Sequence, residues 1–260
     1  MTRPTFLVIG AMKCGTTSLW RYLSAHPHVA MAEQKEVQFF SRNWDKGVGW
    51  YEDQFPSDPE AVAIGEASPS YAELHFFPEV PARIASIVPD ARLVYLVRNP
   101  IERVRSHYLH NLDRGFEDQP LARAVWATPT YTGIGQYATH VDAYLAHFDR
   151  DQLLIVLSER LRDERETTIA EIAAFIGISP WAADIADEHG RTLTLRRRLR
   201  RDWHRRGPRA VGRSIVDHTR WQRMAKMSPT LRDELAEFFR PEVLRLREHL
   251  APDFDGWGIA

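Results

Sequence analysis

Residues 6–18 read Phe-Leu-Val-Ile-Gly-Ala-Met-Lys-Cys-Gly-Thr-Thr-Ser. The apolar, β-branched run over 5–10 has no polar alternation, which fits a parallel strand buried on both faces. It leads through a glycine-bounded loop into a helix expected over 16–25, with Leu19, Tyr22 and Leu23 on one side and Pro27 just beyond its end. The same alternation continues along the chain. Strands are expected at 61–65, Arg92–Val97 and 152–157, and helices at 77–88, 101–114, 137–148 and 164–175, the last closing on Gly177. Ser228-Pro229 starts a final helix with a capping residue and a first-turn proline, and Pro241 is expected to kink or split it. Strands alternating with helices imply an α/β fold: a doubly wound parallel sheet, helices on both faces, with ligands at the strand C-termini.

The loop over 10–18 has the layout of a phosphate cradle, in which backbone N–H groups and a helix N-terminus face an anion. Its glycines, Gly10 and Gly15, match the spacing G-x-x-x-x-G-K-[ST] of a nucleoside-triphosphate loop. Thr16 stands where that motif has its lysine, however, and Lys13 lies inside the loop. The positive charge is retained but shifted, which points to a different phosphate donor.

With 260 residues and 44% hydrophobic content the chain suffices for one α/β domain over 1–260. A formal net charge of −1 gives no global attraction to nucleic acid or to an anionic membrane. Residues 185–227 read as an arginine-rich excursion over the active face, since 191–213 hold ten arginines against the single acid Asp202. Cys14 is the only cysteine, so no intrachain disulfide forms and a reducing compartment is expected. Neither a signal peptide nor a membrane-spanning apolar run is recognisable, and the expectation is a cytoplasmic protein.

Three further stretches carry candidate chemistry, and each has a structural alternative. In Lys35-Glu36-Val37-Gln38-Phe39-Phe40, Glu36 is either half of a surface ion pair or a general base. Arg98 ends the strand Arg92–Val97 where a magnesium-dependent triphosphatase would place a metal-binding Asp. Its guanidinium suits a phosphate monoester, with Ser106 two turns along the next helix, or else it pairs with Glu102. The arginine-rich 191–213 segment binds nucleic acid or an acidic substrate, or is a solvated face. The aromatic pairs Phe39-Phe40 and Phe76-Phe77 are expected in the core. The histidines show no helical metal-ligand spacing, so no metal is expected.

Taken together, these residues resemble the sulfotransferase family that uses 3′-phosphoadenosine 5′-phosphosulfate, in particular the heparan-sulfate N- and 3-O-sulfotransferase branch and its bacterial relatives. Four motifs occur in family order: Ile-Gly-Ala-Met-Lys-Cys-Gly-Thr-Thr-Ser (9–18), Lys-Glu-Val-Gln-Phe-Phe (35–40), Gly-Glu-Ala-Ser-Pro-Ser-Tyr (65–71) and Leu-Val-Arg-Asn-Pro-Ile-Glu-Arg-Val-Arg-Ser-His-Tyr (96–108). The likeness spans residues 5–178. It implies that Lys13, Cys14, Gly15, Thr16, Thr17 and Ser18 hold the 5′-phosphosulfate and that Arg98 and Ser106 hold the 3′-phosphate. It further implies that Glu36 deprotonates the acceptor, that Lys13 stabilises the leaving phosphate, that His110 lies near the acceptor, and that no metal takes part. One departure is Ala67, which follows Glu66 where many relatives carry a lysine. The implied acceptor is a hydroxyl or amine of a carbohydrate or small natural product, and the ten arginines suggest an acidic one. The competing readings are an ATP–magnesium phosphotransferase and a non-enzymatic anion- or nucleic-acid-binding module acting through Arg191 to Arg213.

Overall fold

The structure, a computed structural model, describes residues 2–181 and 223–260. Its centre is a parallel sheet of β1 (Phe6–Gly10), β2 (Val29–Met31), β3 (Ala63–Ala67), β4 (Arg92–Val97) and β5 (Leu153–Leu157), in the order β2-β3-β1-β4-β5. Every residue of β1 is buried, and every residue of β4 except Arg92. That is why both read as unbroken apolar runs. The chain passes from β1 to the β2 edge, returns to β3 beside β1, then crosses to β4 and β5 on the other side. Right-handed crossovers running in opposite directions put their helices on opposite faces. The connections diverge between β1 and β4, so a crevice opens at the carboxyl ends of those two strands.

The helices are α1 (Thr16–Ser24), α2 (Gly47–Glu52), α3 (Val80–Ile87), α4 (Pro100–Arg114), α5 (Leu121–Ala127), α6 (Pro129–Thr132), α7 (Tyr137–Leu145), α8 (Ser158–Asp163), α9 (Arg165–Ile176) and, beyond residue 222, α10 (Pro229–Arg247). Asn99 starts α4, its Oδ1 accepting the N–H groups of Ile101 and Glu102 at 3.0 and 3.2 Å. Gly115, at φ 76°, ends it. A second core, separate from the sheet, forms where Leu231, Leu235, Phe239 and Val243 of α10 meet Ile101, Val104 and Tyr108 of α4.

Several expectations need correction. β2 was not anticipated: three residues at a sheet edge leave too short a pattern to read. β3 lies two residues further along than expected, because the acid Glu66, which marks a strand end by composition, is a buried strand residue with three hydroxyl partners. Helix α10 is continuous through Pro241 rather than split there. Pro241 and Glu237 are both exposed, so the carbonyl that loses its partner opens to water. Ser228 caps this helix as expected, accepting from the Leu231 N–H at 3.1 Å. Phe39 and Phe40 are fully buried, but Phe76 is 48% exposed. Most of the 185–227 excursion lies outside the described residues; at its end, Ala225 is buried in the second core.

Gly65 marks the tightest approach within the sheet, since a Cβ there would lie 2.3 Å from the Phe6 ring. Gly65→Ala is expected to lower the unfolding free energy by roughly 1–3 kcal/mol through overpacking. Denaturant titration checks this, and Phe6→Leu in the same chain should recover part of the loss.

Candidate active site

The crevice between β1 and β4 widens into a cleft of about 770 Å³. Its floor is the turn from β1 into α1. The Ala11 N–H bonds the Leu96 carbonyl of β4 at 2.7 Å and the Cys14 N–H bonds back to Ala11 at 3.1 Å, which folds the loop tightly. Gly15 occupies the capping position of α1 at φ 97°, a conformation that favours glycine. No side chain caps this helix and its first turn carries no acid. Gly15, Thr16, Thr17 and Ser18 line the cleft. The open N–H groups of the first turn and the positive end of the helix dipole therefore face the cavity, an arrangement that takes an anion.

Lys13 projects from the same loop with φ 72° and lines the cleft. Burial first, then the nearby guanidinium groups of Arg98 and Arg114, holds its ammonium below the usual lysine range. Cys14 departs from expectation. Its thiol is fully buried in the core, 3.7 Å from the Tyr137 hydroxyl, and burial pushes it up to about 11. Its N–H is already engaged within the loop, so Cys14 shapes the cradle without facing the ligand.

Arg98 leaves the end of β4, and Ser106 stands on α4 behind it; both line the cleft. Glu102, the alternative partner for Arg98, instead bonds Arg232 of α10 at 2.9 Å. Arg21, Arg105, Arg114 and Arg162 join Lys13 and Arg98 on the described walls, six cationic side chains against the carboxylates of Glu36, Glu102 and Glu159. His110 also lines the cleft, and burial, with Lys13 and Arg114 beside it, keeps its imidazole below the ordinary histidine value. It is thus a neutral hydrogen-bonding group at pH 7 rather than a seventh cation. Among the described residues no three His, Cys, Asp or Glu side chains gather to hold a metal ion.

Glu36 stands where the cleft meets a second cavity of about 450 Å³, and lines both. Its φ of 68° is left-handed, as is that of Gln38 at 54°; such strain persists only where neighbours enforce it. Lys35 Nζ donates to Glu36 Oε1 at 2.6 Å and Gln38 Nε2 to Oε2 at 3.3 Å, while the carboxylate stays partly open to solvent. One enforcing contact comes from the next few residues and one from far along the chain. Asn43 Nδ2 donates to the Val37 carbonyl at 2.8 Å, and Ser68 Oγ accepts the Gln38 N–H at 2.9 Å. Phe39, buried beside Glu36, stacks on Tyr51 with ring centroids 4.4 Å apart.

Behind Ser68 lies a residue that the sequence reading quoted but gave no role. Glu66 is buried and accepts three hydroxyls: Ser68 at 2.6 Å, Tyr51 at 2.7 Å and Tyr71 at 2.8 Å. Burial raises its carboxyl above the ordinary value, against the pull of those three bonds. The chain of contacts Glu66–Ser68–Gln38 thus fixes the strained turn that carries Glu36. A signal was available, an acid in an apolar strand followed by Ser68 and Tyr71, but Tyr51 could not be inferred from spacing.

Comparison with known proteins bears on the family and the fold. The Sulfotransferase domain family matches residues 3–237. The chain is 34% identical over 201 residues to the mouse bifunctional heparan sulfate N-deacetylase/N-sulfotransferase 4, covering 68% of this chain and 22% of that protein. It is 29% identical over 264 residues to the human heparan sulfate glucosamine 3-O-sulfotransferase 3B1, covering 98% of this chain and 65% of the relative. It therefore spans less than two-thirds of the length of either. A crystal structure of a sulfotransferase from Alicyclobacillus acidocaldarius superposes with a TM-score of 0.74 at 27% identity, covering 99% of this chain and all of that one.

Removing the Glu66 carboxylate tests its place under the turn. Glu66→Ala leaves three buried hydroxyls without their acceptor and is expected to cost at least about 1–3 kcal/mol. Glu66→Gln is milder and reports on protonation. A carboxyl raised by burial makes the folded state hold the proton more tightly than the unfolded state. The wild type should therefore lose stability as pH rises from the unfolded value of Glu66 through its folded value, and the Gln variant should lack that component. Denaturant titrations across this range, compared between the two proteins, check it.

Proposed function

The chain belongs to the sulfotransferase domain family, and we propose that it transfers a sulfonate group from 3′-phosphoadenosine 5′-phosphosulfate to a hydroxyl or amine of a carbohydrate or small natural product, in the cytoplasm. The observation that carries this reading is the cationic cleft. It gathers the uncapped N-terminus of α1, Lys13, Arg98 and Ser106 on one set of walls, with Glu36 at the junction with the second cavity. So many anion-binding groups suit a small molecule with more than one anionic group, and the volume lies in the range of small-molecule sites.

Bound there, the donor supplies a sulfonate on a phosphate leaving group. Thr16, Thr17 and Ser18 present first-turn N–H groups to the 5′ end. Arg98 and Ser106 take the 3′-phosphate through charge-assisted hydrogen bonds. Glu36 accepts the acceptor's proton as the new S–O or S–N bond forms and the bond from sulfur to the bridging phosphate oxygen breaks. Lys13 then faces the negative charge that grows on that oxygen. His110, on the donor-cleft side of Glu36, is a neutral hydrogen-bonding partner for the acceptor atom that reaches that carboxylate. The curated relatives carry heparan sulfate in their names, which supports a carbohydrate acceptor.

Calorimetry with adenosine 3′,5′-bisphosphate in chelator, against 5′-AMP and ATP–magnesium, tests the donor site. The expected result is metal-independent binding that weakens sharply without the 3′-phosphate; preference for ATP–magnesium would overturn the reading in favour of a phosphotransferase. Arg98→Ala should cost about 1.5–3 kcal/mol of bisphosphate affinity. Lys13→Met should lower kcat by roughly 10²–10³-fold, and Glu36→Gln by about 10²–10⁴-fold while bisphosphate still binds.

The pH dependence of binding isolates Lys13. Its ammonium titrates low in the free protein, and a bound phosphate raises it again. Affinity is therefore full below the free-state value and falls as pH climbs from that value towards the bound one, with proton uptake on binding in that window. Lys13→Met should remove that alkaline limb in the same calorimetric series.

A further inference from the structure

The second cavity differs from the donor cleft in charge, and that difference bears on the acceptor. The two share Met12, Glu36 and Pro69, so Glu36 is the gate between them. On the described walls of the cavity there is one guanidinium, Arg42, against the carboxylates of Glu36 and Glu73. Arg42 is already engaged. Its Nη2 donates to Glu73 Oε2 at 3.2 Å, and its guanidinium lies 5.0 Å over the Phe77 ring. His107 adds no cation, because burial and the neighbouring Arg103 hold it well below the ordinary histidine value. The cleft next door has six cationic groups against three acids on its described walls.

The rest of the cavity wall is polar but uncharged, with one flat apolar surface. Gln38, Asn111, Ser70 and Thr130 line it with amides and hydroxyls. Asn111 Nδ2 is spent on the Tyr131 hydroxyl at 3.1 Å, which leaves its Oδ1 as an acceptor. Phe76 lines the same space and is 48% exposed, so one face of its ring is open to the cavity. An exposed ring on the wall of a polar cavity suits the C–H face of a saturated ring, while the surrounding amides and hydroxyls bond its equatorial oxygens.

Resting on the donor-site reading given above, we propose that this cavity is the acceptor site for a hydroxyl of an uncharged, polyhydroxylated ring, such as a neutral glycoside, stacked on Phe76 and presented to Glu36. Glu73 is paired with Arg42 and Glu36 with Lys35, so a sulfated or carboxylated acceptor entering here finds no unpaired cation among the described residues. An anion that gives up its water with no cation to replace it is disfavoured against its neutral counterpart. The arginines of 191–213, which suggested an acidic acceptor, lie outside the described residues.

The test uses the full chain and labelled donor, with a panel of neutral tetrasaccharides (malto-, cello-, manno- and chito-series), their 6-O-sulfated counterparts and a cationic aminoglycoside. The expected result is transfer to at least one neutral glycan, with kcat/KM roughly tenfold or more above that of its sulfated counterpart. Phe76→Ala should raise the KM for that glycan by roughly two- to tenfold and leave bisphosphate affinity unchanged, a split that general misfolding would not give. Glu73→Gln should narrow the discrimination against the sulfated counterpart. Preference for the sulfated or the cationic acceptor would overturn the proposal. So would a panel in which no neutral glycan is sulfated or bound at about 10 mM while bisphosphate binds normally. If bisphosphate itself fails to bind, the donor-site reading is the one lost. Saturation-transfer NMR with the neutral panel then reads the cavity separately, and absence of contact there overturns the proposal too.

Discussion

Five residues turn a wholly buried strand into a helix that has nothing of its own to place over its first N–H groups. That open helix end is the constraint around which the site is arranged. An uncapped N-terminus must meet water or an anion, and here it faces a cleft whose described walls carry twice as many cations as acids. The parallel sheet makes the arrangement unavoidable. Because the crossovers diverge between β1 and β4, the loop after β1 and the arginine after β4 emerge side by side. In the absence of a ligand these charges repel one another, and burial first, then that repulsion, lowers the Lys13 ammonium. A bound polyanion relieves both the open helix end and the crowded cations, so binding and electrostatic relief are one event.

The parts of this fold legible in the sequence are those whose environment is uniform along the element. β1 and β4 are buried on both sides, so their composition announces them, and α4 carries its own start and stop signals in Asn99, Pro100 and Gly115. β2 was illegible because three residues at a sheet edge show no period. Pro241 does not split its helix, because proline's cost depends on whether the freed carbonyl is buried, which no local rule specifies. Cys14 misled for a related reason. A residue inside a ligand-binding loop need not face the ligand, and in so tight a turn the side chains point to opposite sides. This one fills the core beside Tyr137.

Glu36 shows where local reading stops more sharply. From sequence it was either half of an ion pair with Lys35 or a base, as if these were alternatives. In the structure the ion pair forms, and the carboxylate still stands at the junction of two cavities. What decides its position is not local at all. Ser68 holds the backbone of Gln38, Glu66 holds Ser68, and Tyr51 and Tyr71 hold Glu66. A carboxylate buried in a strand is costly unless its oxygens are satisfied. Here Ser68, one of the three hydroxyls that satisfy it, also holds the backbone of a turn in the left-handed region, which residues other than glycine, asparagine and aspartate rarely adopt. The buried acid and the strained loop each make the other tenable.

A formal net charge of −1 conceals how unevenly that charge is placed. Cations crowd the described walls of the donor cleft, and acids outnumber them on those of the acceptor cavity. In the proposed reaction, sulfonate transfer moves negative charge across this boundary. At the start the anion lies on the cationic side, where it is held. At the end the proposed acceptor, uncharged on arrival, carries a sulfate in a cavity where Glu36 is paired with Lys35 and Glu73 with Arg42. No unpaired cation on the described wall then retains that product, while the bisphosphate remains on the side that holds it. On this reading the asymmetric pair of cavities favours entry of a neutral acceptor and exit of an anionic product with no moving part. A cavity lined with cations on both sides of Glu36 would hold its product as firmly as its donor.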